Sequence, residues 1–300
     1  MGRTAHPDVE VIDLEPGLWI WRQQHPSWKE GHDWPEVVTS VCVDVGDQRW
    51  VLDPLLPPDD ASAVWDRLSD RPPTAVAVLI PDHLRESWGD RSRWSSDLLA
   101  DRYGCRVFGP NDVDPDMIAA IGPLTADVET IVPGTELPGG LVPFRDVRGW
   151  AETPLWIPEH HTLVFGDGMT ERDGSLRVWM SPTHEERALP DLQAMLALPF
   201  QRVIISHGRP VHDRRAFEDA LERPPWPASS LHIAAWRGDF DRVRTLVQRG
   251  ADLAALSDTS GETPLQWAMN GPAADDATEQ SRQHVINYLR SAMAEQGYDH

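Results

Sequence analysis

Short runs in which apolar residues alternate or crowd together open the chain. VEVIDL (9–14), LWIWR (18–22), VVTSVCVDV (37–45) and RWVLD (49–53) each read as a β-strand, because branched and aromatic residues recur through them. Pro-Gly and Gly-Asp pairs supply turns between some of them, so this opening is rich in hairpins. Asp59 or Asp60 can cap a helix that runs through Leu68. TAVAVLI (74–80) is a continuous apolar run, as expected of a fully buried strand, and a long helix is predicted after it, through Leu98, Leu99 and Tyr103. CRVFGP then reads as another strand and PDMIAAIG as a short helix. Strand-like segments at 127–132, 141–146, 153–157 and 162–166 complete a second hairpin-rich half. Two halves, each of strands followed by helices, predict an α/β fold of two sheets with helices outside.

The pattern breaks at RPPWPASS (223–230), where three prolines in eight residues cannot continue a helix and are depleted from central strands. A Pro-rich linker is expected there, between one domain at 1–222 and a helical segment at 231–300. In that last segment Leu231-His232-Ile233-Ala234-Ala235 is echoed by Thr263-Pro264-Leu265-Gln266-Trp267-Ala268, with Leu231 and Leu265 34 residues apart and Gly250-Ala251-Asp252 closing the first helix pair. The segment resembles ankyrin repeats, which recur at about 33 residues and open on Thr-Pro-Leu-His-x-Ala. Under two repeats are present. One such unit cannot bury its apolar face alone and about three are usually needed, so these helices must rest on other structure. Two roles are open: a structural cap on the first domain, or a surface for a protein partner, with Arg237 and Asp241 as exposed candidates.

Composition narrows the function. With 27 basic and 48 acidic residues the net charge is −21, which argues against a protein that tracks nucleic-acid phosphates. At 40% hydrophobic and 25% charged residues the chain is of the folded globular class. No stretch approaches a membrane span and the first fifteen residues carry acidic groups without a long apolar run, so a cytoplasmic protein is expected. Cys42 and Cys105 both sit in strand-like runs and are expected to be buried and reduced. Most of the 14 tryptophans, such as Trp19, Trp21, Trp50 and Trp65, recur with apolar neighbours as core residues do. Neither a phosphate-cradling glycine loop nor a serine-hydrolase elbow is present in the sequence.

Candidate chemistry comes from three segments: SVCVDVGDQRWVLDPLLPP (40–58), ETPLWIPEHHTLVFGDGM (152–169) and RVIISHGRPV (202–211). In order and spacing they resemble the metallo-β-lactamase superfamily, over roughly residues 9–222. The resemblance implies an αββα sandwich and metal-dependent hydrolysis. It makes Asp53 the carboxylate that supports the site, Asp167 the metal-bridging ligand and His207 the last histidine. The superfamily's Thr-His-x-His-x-Asp-His signature, however, is replaced by IPDHLRESWG. Pro81 stands at the first histidine, His83 keeps the second, Arg85 replaces the aspartate and Glu86 the last histidine. The middle histidine falls on Arg148 or Trp150, neither a zinc ligand. His83, Glu86, Asp167 and His207 are too few for two ions.

Two readings follow. In the first, a single zinc, iron or manganese ion gathers Glu86, Asp167 and His207, with Asp167 and His207 catalytic, in a hydrolase acting on an ester, thioester, amide or phosphoester. In the second, slightly favoured by the donor count, no ion binds; Arg85 pairs with Asp167 or Glu86 to hold the same loops, and the chain is a scaffold that meets a protein partner through its tail. His25, His32 and Trp34, in QHPSWKEGHDWP (24–35), are candidates for a loop over the pocket. His160-His161 reads as a solvated hairpin tip.

Overall fold

The computed structural model describes residues 8–30, 32, 34–109, 124–148, 151–271 and 276–297. The helix expected at PDMIAAIG, and Trp150, lie outside these residues. The chain divides into two compact units: Met1–Asp146, Trp150–Leu176 and Leu196–Asp219 form the first, and Val147–Gly149, Arg177–Met195 and Ala220–His300 the second.

In the first unit β1 (Glu10–Glu15), β2 (Leu18–Gln24), β3 (Val37–Val45) and β4 (Gln48–Leu52) make an antiparallel meander. Parallel strands β5 (Ala75–Ala77), β6 (Arg106–Gly109) and β7 (Val128–Thr130) extend it to seven strands in sequence order. A second sheet has the order β13-β10-β9-β8, from β8 (Val142–Pro143), β9 (Leu155–Ile157), β10 (Thr162–Phe165) and β13 (Arg202–Ile205). Alternation decides which side chain goes where. Leu18 and Ile20 of β2 join Val41, Val43, Trp50, Leu155, Val164 and Ile204 in the core between the sheets. Trp19 and Trp21, one position out of phase, face Val64 and Leu68 of α1 (Ser62–Asp70) and Leu99 of α2 (Ser95–Tyr103). On the second sheet Phe165 meets Phe217 of α4 (Arg214–Leu221) at 6.2 Å between ring centres, with Phe200 closing the triplet at 5.2 Å from Phe217. The result is helix, sheet, sheet, helix.

Several expectations need correction. The apolar run stays buried from Ala75 to Ile80, but its ladder ends at Ala77. Instead of a long helix, a 3-10 turn (Pro81–His83) and a loop precede the nine residues of α2, because the chain between them folds back on itself through an antiparallel bridge of Glu86 with Trp94. Neither Asp59 nor Asp60 caps α1, whose N-cap is Ala61. His160 is buried, not solvated: its ring nitrogens lie 2.7 Å from Glu15 Oε1 and 2.6 Å from the Asp44 carbonyl. A hairpin of β11 (Met169–Arg172) and β12 (Ser175–Val178) had no sequence expectation, and the division between the units falls within its second strand.

Cys42 and Cys105 are free and buried, and burial pushes their thiols up to about 12 and about 11. No helix among the described residues is long and apolar enough to cross a membrane.

The second unit contains α3 (Leu189–Ala194) and four tail helices: α5 (Ser230–Trp236), α6 (Phe240–Gln248), α7 (Pro264–Asn270) and α8 (Asp276–Glu295). Ser229 with His232, and Thr263 with Gln266, form capping boxes that start α5 and α7 at equivalent places in the two repeats. Leu231, Val243, Leu246, Leu265, Val285 and Leu289 make their shared core. Residues 177–195 supply support that two repeats lack. Arg242 pairs with Glu186, Arg249 lies 2.6 Å from the same carboxylate, and the Ser230 hydroxyl donates to the Ser181 carbonyl at 3.0 Å.

The expected linker at 223–230 is accordingly not one. Pro225 to Ala228 are buried, and Trp226 donates its N–H to Val178 O at 2.8 Å while its carbonyl accepts from Met180 N at 2.6 Å. The prolines do not prevent this pairing because Trp226 between them carries both bonds. The second unit therefore begins within residues read as part of the first domain.

Candidate metal centre

Four polar side chains converge where strands end. Asp53 follows β4, His83 ends the turn after β5, Asp167 follows β10 and His207 follows β13. The β4–β5 and β10–β13 pairs are parallel, so all four residues reach the same edge of the sandwich, the place where strand ends leave a crevice in α/β sheets. The two sheets are tied there by Thr39, whose N–H donates to Ser206 O at 2.8 Å and whose hydroxyl donates to Gly208 O at 3.0 Å.

Asp167 Oδ1 lies 3.1 Å from His83 Nε2 and 3.1 Å from His207 Nε2. One ligand atom from each of these residues fits within 4.8 Å of the others, the one such group that the described residues present. Behind it, His83 Nδ1 is 2.7 Å from Asp53 Oδ2, while Asp53 also accepts from Leu79 N–H at 2.7 Å and from the Ser206 hydroxyl at 3.2 Å. A carboxylate on the far nitrogen fixes the ring and turns Nε2 toward the site, as in carboxylate–histidine–metal arrangements. Glu152, fully buried, accepts the Gly168 N–H at 2.9 Å and so braces the loop carrying Asp167.

Glu86 is not part of this group. Its carboxylate accepts from Ser27 Oγ at 3.0 Å and from Arg91 Nε at 2.9 Å, and the Arg91 charge holds it there. Arg85 pairs with neither Asp167 nor Glu86. It is buried, and Nη1 donates to the carbonyls of Asp53 (2.7 Å) and Thr39 (3.3 Å), stitching β3 to the end of β4. The aromatic loop does reach the site: the Trp34 ring is 5.5 Å from that of His207, with His25 and His32 each 5.2 Å from Trp34. Arg148 is buried in the second unit, its carbonyl accepting from Ser181. Ser206, Thr39 and Glu152 escaped sequence reasoning; a glutamate directly before an apolar strand was the available signal for the last.

The charges balance without an ion. Burial and then the Arg85 charge push His83 down, but the carboxylates of Asp53 and Asp167 outweigh both and hold it up at about 9. Burial works to raise Asp167, yet His83 and His207 hold it well below the ordinary carboxylate range. His207 is lowered, by burial first. Burial, then the positive charge of Arg85, takes His25 to about 3, and its Nδ1 accepts from Ser27 N–H at 3.2 Å, so it is neutral with its proton on Nε2. Protonated His83 and Arg85 thus offset the carboxylates of Asp53 and Asp167.

A pH dependence follows for the ion-free protein. The raised value of His83 contributes stability that is fully present below its unfolded value near 6.5 and is lost as pH rises through about 9. Asp167, depressed, contributes stability present above its unfolded value and lost as pH falls below that range. The thermal midpoint is expected to fall between pH 7 and pH 10, and that fall to be largely absent in His83→Gln measured alongside. A second prediction concerns Gly208. A Cβ there would lie 2.5 Å from Glu171 Cβ and 2.6 Å from Ile205 Cδ1, so Gly208→Ala must displace the loop holding His207. A loss of about 1–3 kcal/mol in urea unfolding is expected, with weaker metal binding.

The family described as "Ankyrin repeats (many copies)" matches residues 231–272. Among solved structures, the chain is similar to DIM-1 metallo-β-lactamase, with a TM-score of 0.50 at 11% identity, over 73% of this chain and 97% of that one. It is likewise similar to TMB-1, whose structure was described for substrate and inhibitor binding, with a TM-score of 0.50 at 12% identity, over 72% of this chain and 96% of that one. Comparison with curated protein sequences finds no match. At such identities the likeness is one of fold. The chain has a metallo-β-lactamase-like αββα fold and carries an ankyrin-repeat segment at its C-terminal end.

Proposed function

We propose that the chain is a hydrolase-type protein whose site takes one divalent metal ion at His83, Asp167 and His207. The observation that carries this reading is the convergence of their three ligand atoms within 4.8 Å, with Asp53 backing His83. Two imidazoles and one carboxylate are a donor set that zinc accepts in catalytic sites and that also suits iron or manganese. The residues therefore fit an ion, and fit one rather than two: Glu86 is engaged elsewhere and no further donor joins the group among the described residues. When bound, such an ion would supply Lewis acidity toward a carbonyl or phosphoryl oxygen and lower the pKa of a water.

The chain's own residues set the terms of binding. His83 must give up its proton, which with a value of about 9 weakens affinity at pH 7 by about a hundredfold. Asp53 orients His83, and Asp167 offers the anionic donor. With the ion in place of that proton, the centre carries one more positive charge than before, Arg85 included. That excess favours a substrate with an anionic or strongly polarised group, an ester, thioester, amide or phosphoester. Trp34 and His25 form an aromatic wall beside His207, which suits an apolar portion of that substrate and excludes water.

One observation favours a second reading, a non-catalytic scaffold. Protonated His83 and Arg85 offset the carboxylates of Asp53 and Asp167, which supports loops joined by these pairs in place of an ion. The readings separate by assay. p-Nitrophenyl esters and bis(p-nitrophenyl) phosphate are offered to protein loaded with zinc, iron(II) or manganese(II), and again after dipicolinate treatment. Turnover that dipicolinate removes and metal restores supports the hydrolase. Full metal loading with no turnover of any substrate would leave the scaffold.

A further inference from the structure

A cavity of about 370 Å³ lies within the second unit, lined by Met180, Trp236, Ser260, Glu262, Trp267 and Asn270 among others. Trp236 ends α5, Trp267 lies in the middle of α7, and Glu262 sits in the turn just before α7, at the opening of the second repeat. Trp236 is 42% exposed, and its indole N–H has no partner among the described residues. Trp267 is half-buried and held in place: His232 meets its ring edge-on at 5.2 Å, and its Nε1 points to Ser260 Oγ at 3.4 Å.

The charge in this groove is one-sided. Glu262 Oε1 accepts from Asn270 Nδ2 at 2.9 Å, whereas Oε2 has no partner among the described residues. Of the cations on neighbouring segments, Arg177 is paired with Asp258 at 3.1 Å, and Arg237, next to Trp236, does not line the groove. Arg282 pairs with Glu279 and donates to the carbonyls of Met269 (2.9 Å) and Gly271 (3.1 Å), and Arg290 Nη2 lies 3.9 Å from Met269 Sδ. A wholly apolar occupant would strip water from the Glu262 carboxylate and return nothing. An acidic occupant would meet that carboxylate and a chain of net charge −21. What fits two indoles, a thioether and an uncompensated carboxylate is a cation with a flat, weakly hydrated head and an aliphatic stem.

We propose that this groove binds an arginine side chain presented by a partner protein, with the guanidinium at Glu262 and the stem against Trp236 and Trp267. Lysine, a compact and more strongly hydrated charge, binds there more weakly. The site stands apart from the metal reading, since all of its residues belong to the second unit. It also replaces the surface expected at Arg237 and Asp241. Both are exposed, but Asp241 is paired with Arg244 at 3.0 Å, and neither lines the groove.

The full-length chain, with its tryptophan indoles labelled with nitrogen-15, is titrated with acetyl-Ala-Arg-Ala-amide and with the lysine, norleucine and glutamate versions of that peptide. The Trp236 and Trp267 indole signals are assigned through Trp236→Phe and Trp267→Phe. The arginine peptide is expected to move both signals, the lysine peptide to do so at higher concentration, and the other two to leave them in place. Glu262→Gln should weaken arginine binding by about tenfold, Glu262→Asp should retain most of it, and added salt should weaken it in the unmodified chain. Thermal midpoints within a few degrees of the parent would show that the variants fold. Equal shifts from the norleucine peptide, unchanged affinity in Glu262→Gln, or no movement of either indole at millimolar arginine peptide would each overturn the proposal.

Discussion

Replacing Asp167 with alanine is expected to weaken metal binding by at least about a thousandfold while the chain stays folded. Asp167 Oδ1 stands 3.1 Å from both imidazole nitrogens, so the substitution removes one donor of three and the only anionic one. Changes to residues that merely orient a ligand cost about 10- to 100-fold, and loss of a ligand from a minimal set costs more. The substitution leaves a protonated His83 beside Arg85 with Asp53 alone to offset both, which repels a cation further. Removing Asp167 also withdraws one of the two carboxylates that keep His83 protonated, so the alkaline loss of stability should move to lower pH. Competition with a chromophoric chelator measures the affinity. An Asp167→Ala protein that competes as well as the parent would mean that the ion is held elsewhere.

The largest effect on stability is expected at Asp53. Its carboxylate is buried and accepts from three groups: the Leu79 N–H, the His83 ring and the Ser206 hydroxyl. Asp53→Ala deletes all three acceptor contacts and leaves the charge of His83 in the interior with one carboxylate partner instead of two. Breaking one side of a buried charged pair costs about 3–5 kcal/mol. Backbone geometry adds to this, since Asp53 has φ of 46°, a left-handed conformation that aspartate and asparagine tolerate better than alanine. Asp53→Asn keeps the backbone preference and one acceptor, so it should cost clearly less. Urea unfolding of the three proteins measures both differences. A cost below about 1 kcal/mol for Asp53→Ala would contradict the buried pairing.

Legibility in the sequence differed by kind of information. Strands with dense runs of branched and aromatic residues, such as Leu18–Gln24 and Val37–Val45, were plain, because both of their faces are buried, one between the sheets and one under the helices. Asp167 and His207 were found through the resemblance of their segments, a Gly-Asp pair and a His-Gly pair each close behind an apolar run, to the metallo-β-lactamase superfamily. The partners of Arg85 and Glu86 were not legible. Arg85 bonds to main-chain carbonyls of Asp53 and Thr39, groups that every residue carries and no sequence pattern marks. Glu86 is drawn away by Ser27 and Arg91, of which Ser27 lies 59 positions distant. The Pro-rich stretch misled for a related reason: composition reports which backbone bonds proline forgoes, not those that Trp226 makes between two of them. Two ankyrin units were recognised, but the support from 177–195 rests on pairs such as Arg242 with Glu186, which only the folded chain brings together.

Elemental mass spectrometry of the full-length protein, purified without a histidine tag or chelator and then supplied with zinc, iron(II) or manganese(II), tests the central claim most directly. A centre built from His83, Asp167 and His207 predicts about one ion per chain, retained on desalting and lost in His207→Ala. A stoichiometry near zero after metal is supplied, or one ion that survives His207→Ala, would contradict it.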